Sequence, residues 1–370
     1  MPAPLRILFV LEYYAPHIGG AEILFQTMAE NLAADGHRVT VFTKRLPGCA
    51  AREDLNGVRI LRTSLPPPGR FWFTFAVFPA LVRLAREAEV IHASTYGGTF
   101  SASLAGRLTG RPVVLTVHEI WMDRWRRVPF VPLWQRWSGP LQERFLLRLP
   151  YSAYCPVSHA TFQTLEHYFP ETRPLLHLVP AAVTIPSTLR WRGEPGRGAR
   201  AFLYFGRPGH WRGVDVLLKA FARFLKGGGD ATLDLILGKE PRREFQALSG
   251  LMGTLGAGDR IRILDPLPRE ALFQSLLRYD AAVFPSLSEG FGLAAAEACA
   301  LGIPVVASSA GALPEVVSGW HLMVPPGDEA ALAEALAKAS AGRWDWSPPR
   351  AFPVDDTMRA LYAVYRSLIP

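Results

Sequence analysis

A chain of 370 residues, 49% hydrophobic and 19% charged, carries enough apolar sequence for two or three cores, which excludes an intrinsically disordered protein. Forty Lys and Arg against 32 Asp and Glu leave a net charge of +8, most of it arginine, which favours phosphorylated ligands, anionic membranes or nucleic acid. Three widely spaced cysteines, Cys49, Cys155 and Cys299, indicate neither a disulfide framework nor a zinc site and fit a reducing cytoplasm. The apolar runs at 7–11 and 71–82 fall short of a signal core and of a membrane span, so a soluble or membrane-surface protein is expected.

Residues 5–11 read as a buried strand, and 12–20 as a loop holding Pro16, Gly19 and Gly20. A helix is expected over 21–35, with Leu24, Met28 and Leu32 at helical spacing and Gly36 as its stop. A strand at 39–42 completes a βαβ unit whose Gly-Gly step would bring a ligand close to backbone. A plain tight turn before a helix is the alternative, because no G-x-G-x-x-G is present. Further strands are expected at 58–61, 90–93 and 112–117. His118 ends the last of these, on the edge where open α/β sheets bind ligands; an imidazole there can hold or protonate a sugar hydroxyl near neutral pH, or serve structure alone.

Residues 121–148 interleave Trp121, Trp125, Trp134 and Trp137 with Arg124, Arg126, Arg127, Arg136, Arg144 and Arg148, alongside Phe130, Leu133 and Leu146. Aromatics and cations at this density suit anionic lipid headgroups, and nucleic acid could use the same chemistry. A helix pair with core tryptophans and solvated arginines is the plainer reading. Residues 71–75 with Arg70 and Arg83 would extend the surface. A strand at 154–158 and a helix through Tyr168 follow, then a Pro-, Gly- and Arg-rich stretch at 186–200 of linker composition.

The second half repeats the architecture: a strand at 201–205, a glycine loop 206–213 carrying Arg207 and Arg212, and a helix from Val214. Strands are expected at 233–237, 260–264 and 305–308, and 344–349 reads as a break before a helix at 355–368. Between them lies Pro285-Ser286-Leu287-Ser288-Glu289-Gly290-Phe291-Gly292-Leu293-Ala294-Ala295-Ala296-Glu297. It joins an apolar strand at 281–284 to an Ala-rich helix over 293–301. Strand, glycine loop and helix start aim backbone N–H groups and a positive dipole end at one spot, where phosphate fits. Glu289 and Glu297 bracket that spot, roughly 10 Å apart at a helical rise of ~1.5 Å per residue. That exceeds the roughly 5–5.5 Å of a retaining glycosidase pair and suits a nucleotide sugar. Two unrelated surface charges would also satisfy the spacing.

Glu289 and Glu297, set in PSLSEGFGLAAAEACALGIPVVAS, resemble the E-x7-E signature of retaining glycosyltransferases of family 4. The resemblance implies an α/β protein of the GT-B fold, two Rossmann-like doubly wound domains facing across a cleft. The expected domains are 1–185, with the last helix 355–370 packing back onto them, and 200–345. It further implies that Gly20, in Gly19-Gly20-Ala21-Glu22, meets the donor diphosphate or acceptor, and that His118 faces the donor sugar. Arg207 and Arg212 would hold the diphosphate, stabilising charge as it leaves. Arg212, a forked donor, stands where the family usually has Lys. Phosphates would lie at Gly290, Phe291, Gly292 and Leu293, with ribose hydroxyls on Glu297, Glu289 toward the sugar, and the base near Leu267. Pro180-Ala181-Ala182-Val183-Thr184 departs from the family's P-N-G-V-D, which removes any contact made there by Asn or Asp.

The expectation is a retaining transferase moving a sugar from a UDP- or GDP-sugar to a hydroxyl acceptor, a lipid-linked molecule or glycan of cell-envelope polysaccharide or glycolipid synthesis. No D-x-D is present, so no metal or other cofactor is expected. The expected location is the cytoplasm, at the inner face of the membrane that 121–148 would touch, and no nucleic-acid partner is expected. An epimerase of the same fold remains a rival, separable by product analysis without acceptor. A non-enzymatic membrane-surface or nucleic-acid binder is the other, and would be indifferent to Glu289→Gln.

Overall fold

The computed structural model describes residues 4–17, 19–64, 77–95, 97–127 and 132–369. Arg70, the 71–75 stretch, Phe130 and the side chain of Arg127 lie outside that description. The chain divides into two compact units, one gathering residues up to 126, 133–182 and from 352 on, the other 183–351.

Each unit is built on a seven-stranded sheet. The first contains β1 (Arg6–Val10), β2 (Arg38–Lys44), β3 (Arg52–Leu55), β4 (Val58–Thr63), β5 (Val90–Ser94), β6 (Val113–Val117) and β7 (Ala153–Pro156). Their spatial order is β3-β4-β2-β1-β5-β6-β7, parallel except for β3. Helices Gly20–Ala34, Phe78–Glu87, Thr99–Thr109, Leu133–Leu147 and His159–Tyr168 make or follow the crossovers, and Val354–Leu368 also belongs to this unit. The central strands are apolar along their length because a sheet covered by helices on both faces has no wet side; β6 is buried at every position. The edge strand β3, Arg-Glu-Asp-Leu, carries no such pattern and escapes sequence reading.

The second sheet contains β8 (Ala201–Gly206), β9 (Thr232–Leu237), β10 (Ile261–Leu264), β11 (Ala281–Phe284), β12 (Val305–Ser308), β13 (Gly319–Val324) and β14 (Asp345–Ser347). The order is β10-β9-β8-β11-β12-β13-β14, parallel but for β14, which pairs Trp346 with Trp320. The expected break at 344–349 is therefore partly strand: cross-strand tryptophan pairing at the edge outweighs the flanking prolines. Helices Val214–Lys226, Arg242–Thr254, Arg269–Leu276, Leu293–Leu301, Leu313–Val316 and Glu329–Ser340 complete the unit. Phe202, Phe221, Leu217, Leu233 and Leu336 fill its core with at most 0% exposure. The linker-like 186–200 stretch is anchored here: the Trp191 amide donates to Leu301 O and its Nε1 to Tyr279 O, both at 2.8 Å.

In both sheets strand order reverses beside the first strand, at β1/β5 and at β8/β11. Loops leaving the carboxyl ends of such a pair run to opposite faces and open a crevice between them. This is what sets loop 206–213 against loop 285–292.

Candidate active site

The two loops of the second unit are stitched together by backbone. Leu287 N and Ser288 N donate to Trp211 O at 2.7 and 3.3 Å. Gly213, at φ +65°, caps helix Val214–Lys226, and a Cβ there would lie 2.0 Å from Pro285 O. Only glycine permits both the left-handed turn and the contact. Further along, Ala312 N donates to Glu289 O at 3.0 Å, and a Cβ on Gly311 would lie 2.0 Å from the same oxygen. Ser308 Oγ donates to Ser286 O at 2.5 Å.

This backbone frame presents charged groups side by side. Arg212 Nη1 forms an ion pair with Glu289 Oε2, which also accepts from Ser286 Oγ at 3.1 Å. Gly292, at φ +93°, stands just before helix Leu293–Leu301, whose first-turn amides open toward the loop. Glu297, buried on that helix, lies 2.7 Å from Arg269 Nη2. Burial raises the Glu297 carboxyl above its usual range, and the Arg269 charge pulls it part of the way back. Arg269 also donates to Thr184 O at 2.9 Å and lies over the Phe273 ring, 4.7 Å from its centroid. Arg207 is exposed; its carbonyl accepts from Tyr204 OH at 2.9 Å. Leu267, 37% exposed, ends the loop before helix Arg269–Leu276.

Glu289, Gly290, Phe291, Gly292 and Leu293 thus share one loop and helix start, to which Arg212 of the facing loop is joined through Glu289, while Glu297 is engaged by a cation that sequence reading missed. Arg269 sits 28 positions away and joins Glu297 only through the packing of two helices, so no local spacing announces it. Glu244 was missed as well: it is buried on helix Arg242–Thr254, accepts from the His210 amide, and keeps Oε2 without a hydrogen bond. Burial raises its carboxyl, while the His210 amide and the Arg207 charge oppose the shift.

In the first unit, His118 follows β6 as expected. Its Nε2 lies 3.1 Å from Ser94 Oγ and its amide donates to Thr95 Oγ1 at 3.3 Å. Burial lowers the ring to about 4, a shift that the Glu22 charge only partly opposes. Of the roles expected for it, holding or protonating a hydroxyl or serving structure alone, the lowered ring favours those open to an uncharged imidazole. Gly20 opens helix Gly20–Ala34. Nearby, Glu22 pairs with His17 at 3.4 Å, Tyr13 stacks on His17 at 4.6 Å, and Lys44 lies 5.4 Å from the Tyr13 centroid. Burial is the largest single influence on Glu22 and raises it, yet the His17 hydrogen bond, a backbone hydrogen bond and the His17 and His118 charges together hold the carboxyl below its usual range. Two hollows elsewhere on this unit, by Gly106–Pro112 and by Arg52, Arg62 and Arg83, touch none of these groups. Among the described residues no cluster of three or more His, Cys, Asp or Glu is placed to hold a metal ion.

Two family descriptions match the chain in succession, Glycosyltransferase Family 4 over residues 18–185 and Glycosyl transferases group 1 over 188–347. The chain is 29% identical to the MMP alpha-(1->4)-mannosyltransferase of Mycolicibacterium hassiacum, covering 85% of this chain and 83% of that one. It is 26% identical to the 2-deoxystreptamine N-acetyl-D-glucosaminyltransferase of Streptomyces fradiae, covering 87% and 82%. Among solved structures, Anabaena HepE in complex with UDP and glucose superposes with a TM-score of 0.74 at 19% identity over 98% of this chain and all of that one. The lipopolysaccharide outer core galactosyltransferase WaaB gives 0.71 at 15%, over 98% and 99%. With both halves matched and both sheets doubly wound, the chain belongs to the family 4, group 1 glycosyltransferases, nucleotide-sugar-dependent enzymes of the GT-B fold.

Proposed function

We propose that the chain is a retaining transferase that takes a sugar from UDP- or GDP-sugar to the hydroxyl of a lipid-linked or glycan acceptor at the cytoplasmic face of a membrane, with 121–148 as its membrane-side region. The observation that carries the reading is the Arg212–Glu289 pair held beside the start of helix Leu293–Leu301. A diphosphate laid across residues 290–293 would meet helix amides and the guanidinium groups of Arg212 and Arg207. As the glycosidic bond breaks, negative charge grows on the departing diphosphate, and these fixed cations stabilise it. Its oxygen takes the acceptor hydroxyl proton on the face where the new bond forms, which keeps the anomeric configuration. No metal is required by this scheme. Glu289 faces the sugar and Glu297 holds the ribose hydroxyls, with Leu267 near the base. His118, neutral, offers a hydrogen bond to the sugar, and Gly20 lets backbone approach the donor or acceptor. Names of the relatives support transfer as the chemistry; UDP appears with HepE.

Glu289→Gln or Arg207→Ala should cut transfer by about 10²–10³-fold, the usual loss for a transition-state charge partner. Melting temperatures should stay close to the parent chain. Full turnover in both variants would remove the site from the proposal. A thermal-shift panel of UDP-, GDP- and ADP-sugars identifies the donor. The anomeric configuration of the product, read by NMR, decides retention.

A further inference from the structure

Helix Leu133–Leu147 has apolar residues on two sides. One side is buried: Gly139, Glu143 and Leu147 turn inward. A Cβ on Gly139 would come within 2.6 Å of the Trp125 ring, so the absence of a side chain lets the indole lie against the helix. Glu143, 1% exposed, accepts from Trp121 N at 2.8 Å, Met122 N at 2.6 Å and Trp125 Nε1 at 3.0 Å. Those bonds satisfy its buried carboxylate and fasten the helix to the preceding turn in one rotation.

The other side is apolar without being covered. At 3.6 residues per turn, Leu133, Trp137, Leu141, Trp134 and Phe145 fall within an arc of about 120°. They are 72, 64, 69, 70 and 56% exposed, and make up five of the ten exposed large apolar side chains among the described residues. A helix that faces only water carries polar residues there; an apolar stripe turned outward marks a docking face. Arg144 lies in the same arc, and the Arg126 guanidinium sits 4.9 Å from the Trp137 ring centroid. The helix's single carboxylate, Glu143, is the buried one, so the face is cationic as well as apolar.

We propose that this face docks onto an anionic bilayer surface, with Trp134, Trp137, Leu141 and Phe145 entering the boundary between headgroups and acyl chains and Arg126 and Arg144 meeting lipid phosphates. The inference deepens the membrane-side placement proposed above and rests on it for the acceptor's location. Indoles with guanidinium partners suit an interface that is greasy on one side and charged on the other. A second copy docked by two-fold symmetry would lay this cationic face on itself, and the helix offers no exposed carboxylate to neutralise Arg126 and Arg144. A nucleic acid could stack on the indoles, but Leu133 and Leu141 would gain nothing from bases.

The test is co-sedimentation of the full chain with vesicles of phosphatidylcholine alone and with 30% phosphatidylglycerol. The parent chain should bind the anionic vesicles at least tenfold more tightly than the neutral ones, and less tightly as salt rises. The triple variant W134S/W137S/L141S, replacing exposed residues only, should keep its circular dichroism and melting curve and lose at least tenfold in vesicle binding. R126E/R144E should lose the preference for phosphatidylglycerol. Failure of the parent chain to bind, unchanged binding by the triple variant, a dimer that this variant dissolves, or oligonucleotide binding with no vesicle binding each overturns the inference. Transfer to a water-soluble acceptor is measured on the same proteins: its loss in E289Q with vesicle binding intact separates the two proposals.

Discussion

Glu297 shows why one residue cannot be understood from its own position. As a carboxylate on an Ala-rich helix it would be a surface charge; buried to 5% side-chain exposure it needs a cation, and Arg269 supplies one. Removing a partner from a buried pair leaves the other charge uncompensated. Arg269, however, is 29% exposed, and solvent shares its charge. Arg269→Ala is therefore expected to destabilise the second unit by on the order of 1–3 kcal/mol, below the range for a fully buried pair. It should also raise the donor KM by more than it lowers kcat, because Glu297 would be protonated over a wider pH range and lose its orientation. Denaturant titration and steady-state kinetics check both. The E-x7-E spacing showed Glu297 in the sequence, whereas its cation depended on how helix Arg269–Leu276 lies beside helix Leu293–Leu301.

At the scale of elements, the loops 206–213 and 285–292 hold their shape through glycines that differ in what surrounds them. Gly302, the stop of helix Leu293–Leu301, has φ +84° and no atom near its missing Cβ. Gly302→Ala should cost only the left-handed backbone penalty, about 1–2 kcal/mol. Gly213 and Gly311 have φ +65° and +52° and face carbonyl oxygens 2.0 Å from where a Cβ would stand. Backbone cannot step aside as a side-chain tip can, so Gly213→Ala and Gly311→Ala should each cost more than about 3 kcal/mol. Because those carbonyls belong to Pro285 and Glu289, both variants should also lose the thermal shift given by the nucleotide sugar, while Gly302→Ala keeps it. Equal losses in all three would show that conformational strain, and not the close approach of loops, governs these positions.

For the whole molecule, the two units should respond differently to acid. In the first, His92 is buried between Tyr365 OH at 2.6 Å and Thr116 Oγ1 at 2.7 Å, and burial lowers it to about 3. His118 is lowered to about 4. Both folded values lie below the unfolded value of about 6.5, so the unfolded chain binds more protons and stability falls as pH drops from about 6.5 toward 4. At pH 5 His92 and His118 should together account for nearly two of the protons taken up as this unit unfolds, and His92→Gln should remove nearly one of them. In the second unit burial raises Glu297, which is the opposite sign: it favours the folded state more at low pH. Hydrogen exchange at pH 7 and pH 5 should therefore show β1–β7 losing protection ahead of β8–β14. Protection that falls evenly across both sheets would contradict this account.

Much of this architecture was legible along the chain. Apolar runs of strand length, the glycine loops after 205 and 284, the Ala-rich helix over 293–301 and the two glutamates mark a doubly wound α/β protein and the arms of the proposed donor site, because burial on both faces and tight turns constrain residue type locally. The edges were not legible: β3 is polar, and β14 lies in a stretch that reads as a break, since an edge strand needs only one partner and little burial. Nor were the neutrality of His118, the Arg269 and Glu244 contacts, or the outward turn of Trp134 and Trp137 beside the half-buried Trp121 and Trp125. Desolvation and pairing depend on which elements pack together across long sequence separations, and only the tertiary structure decides that.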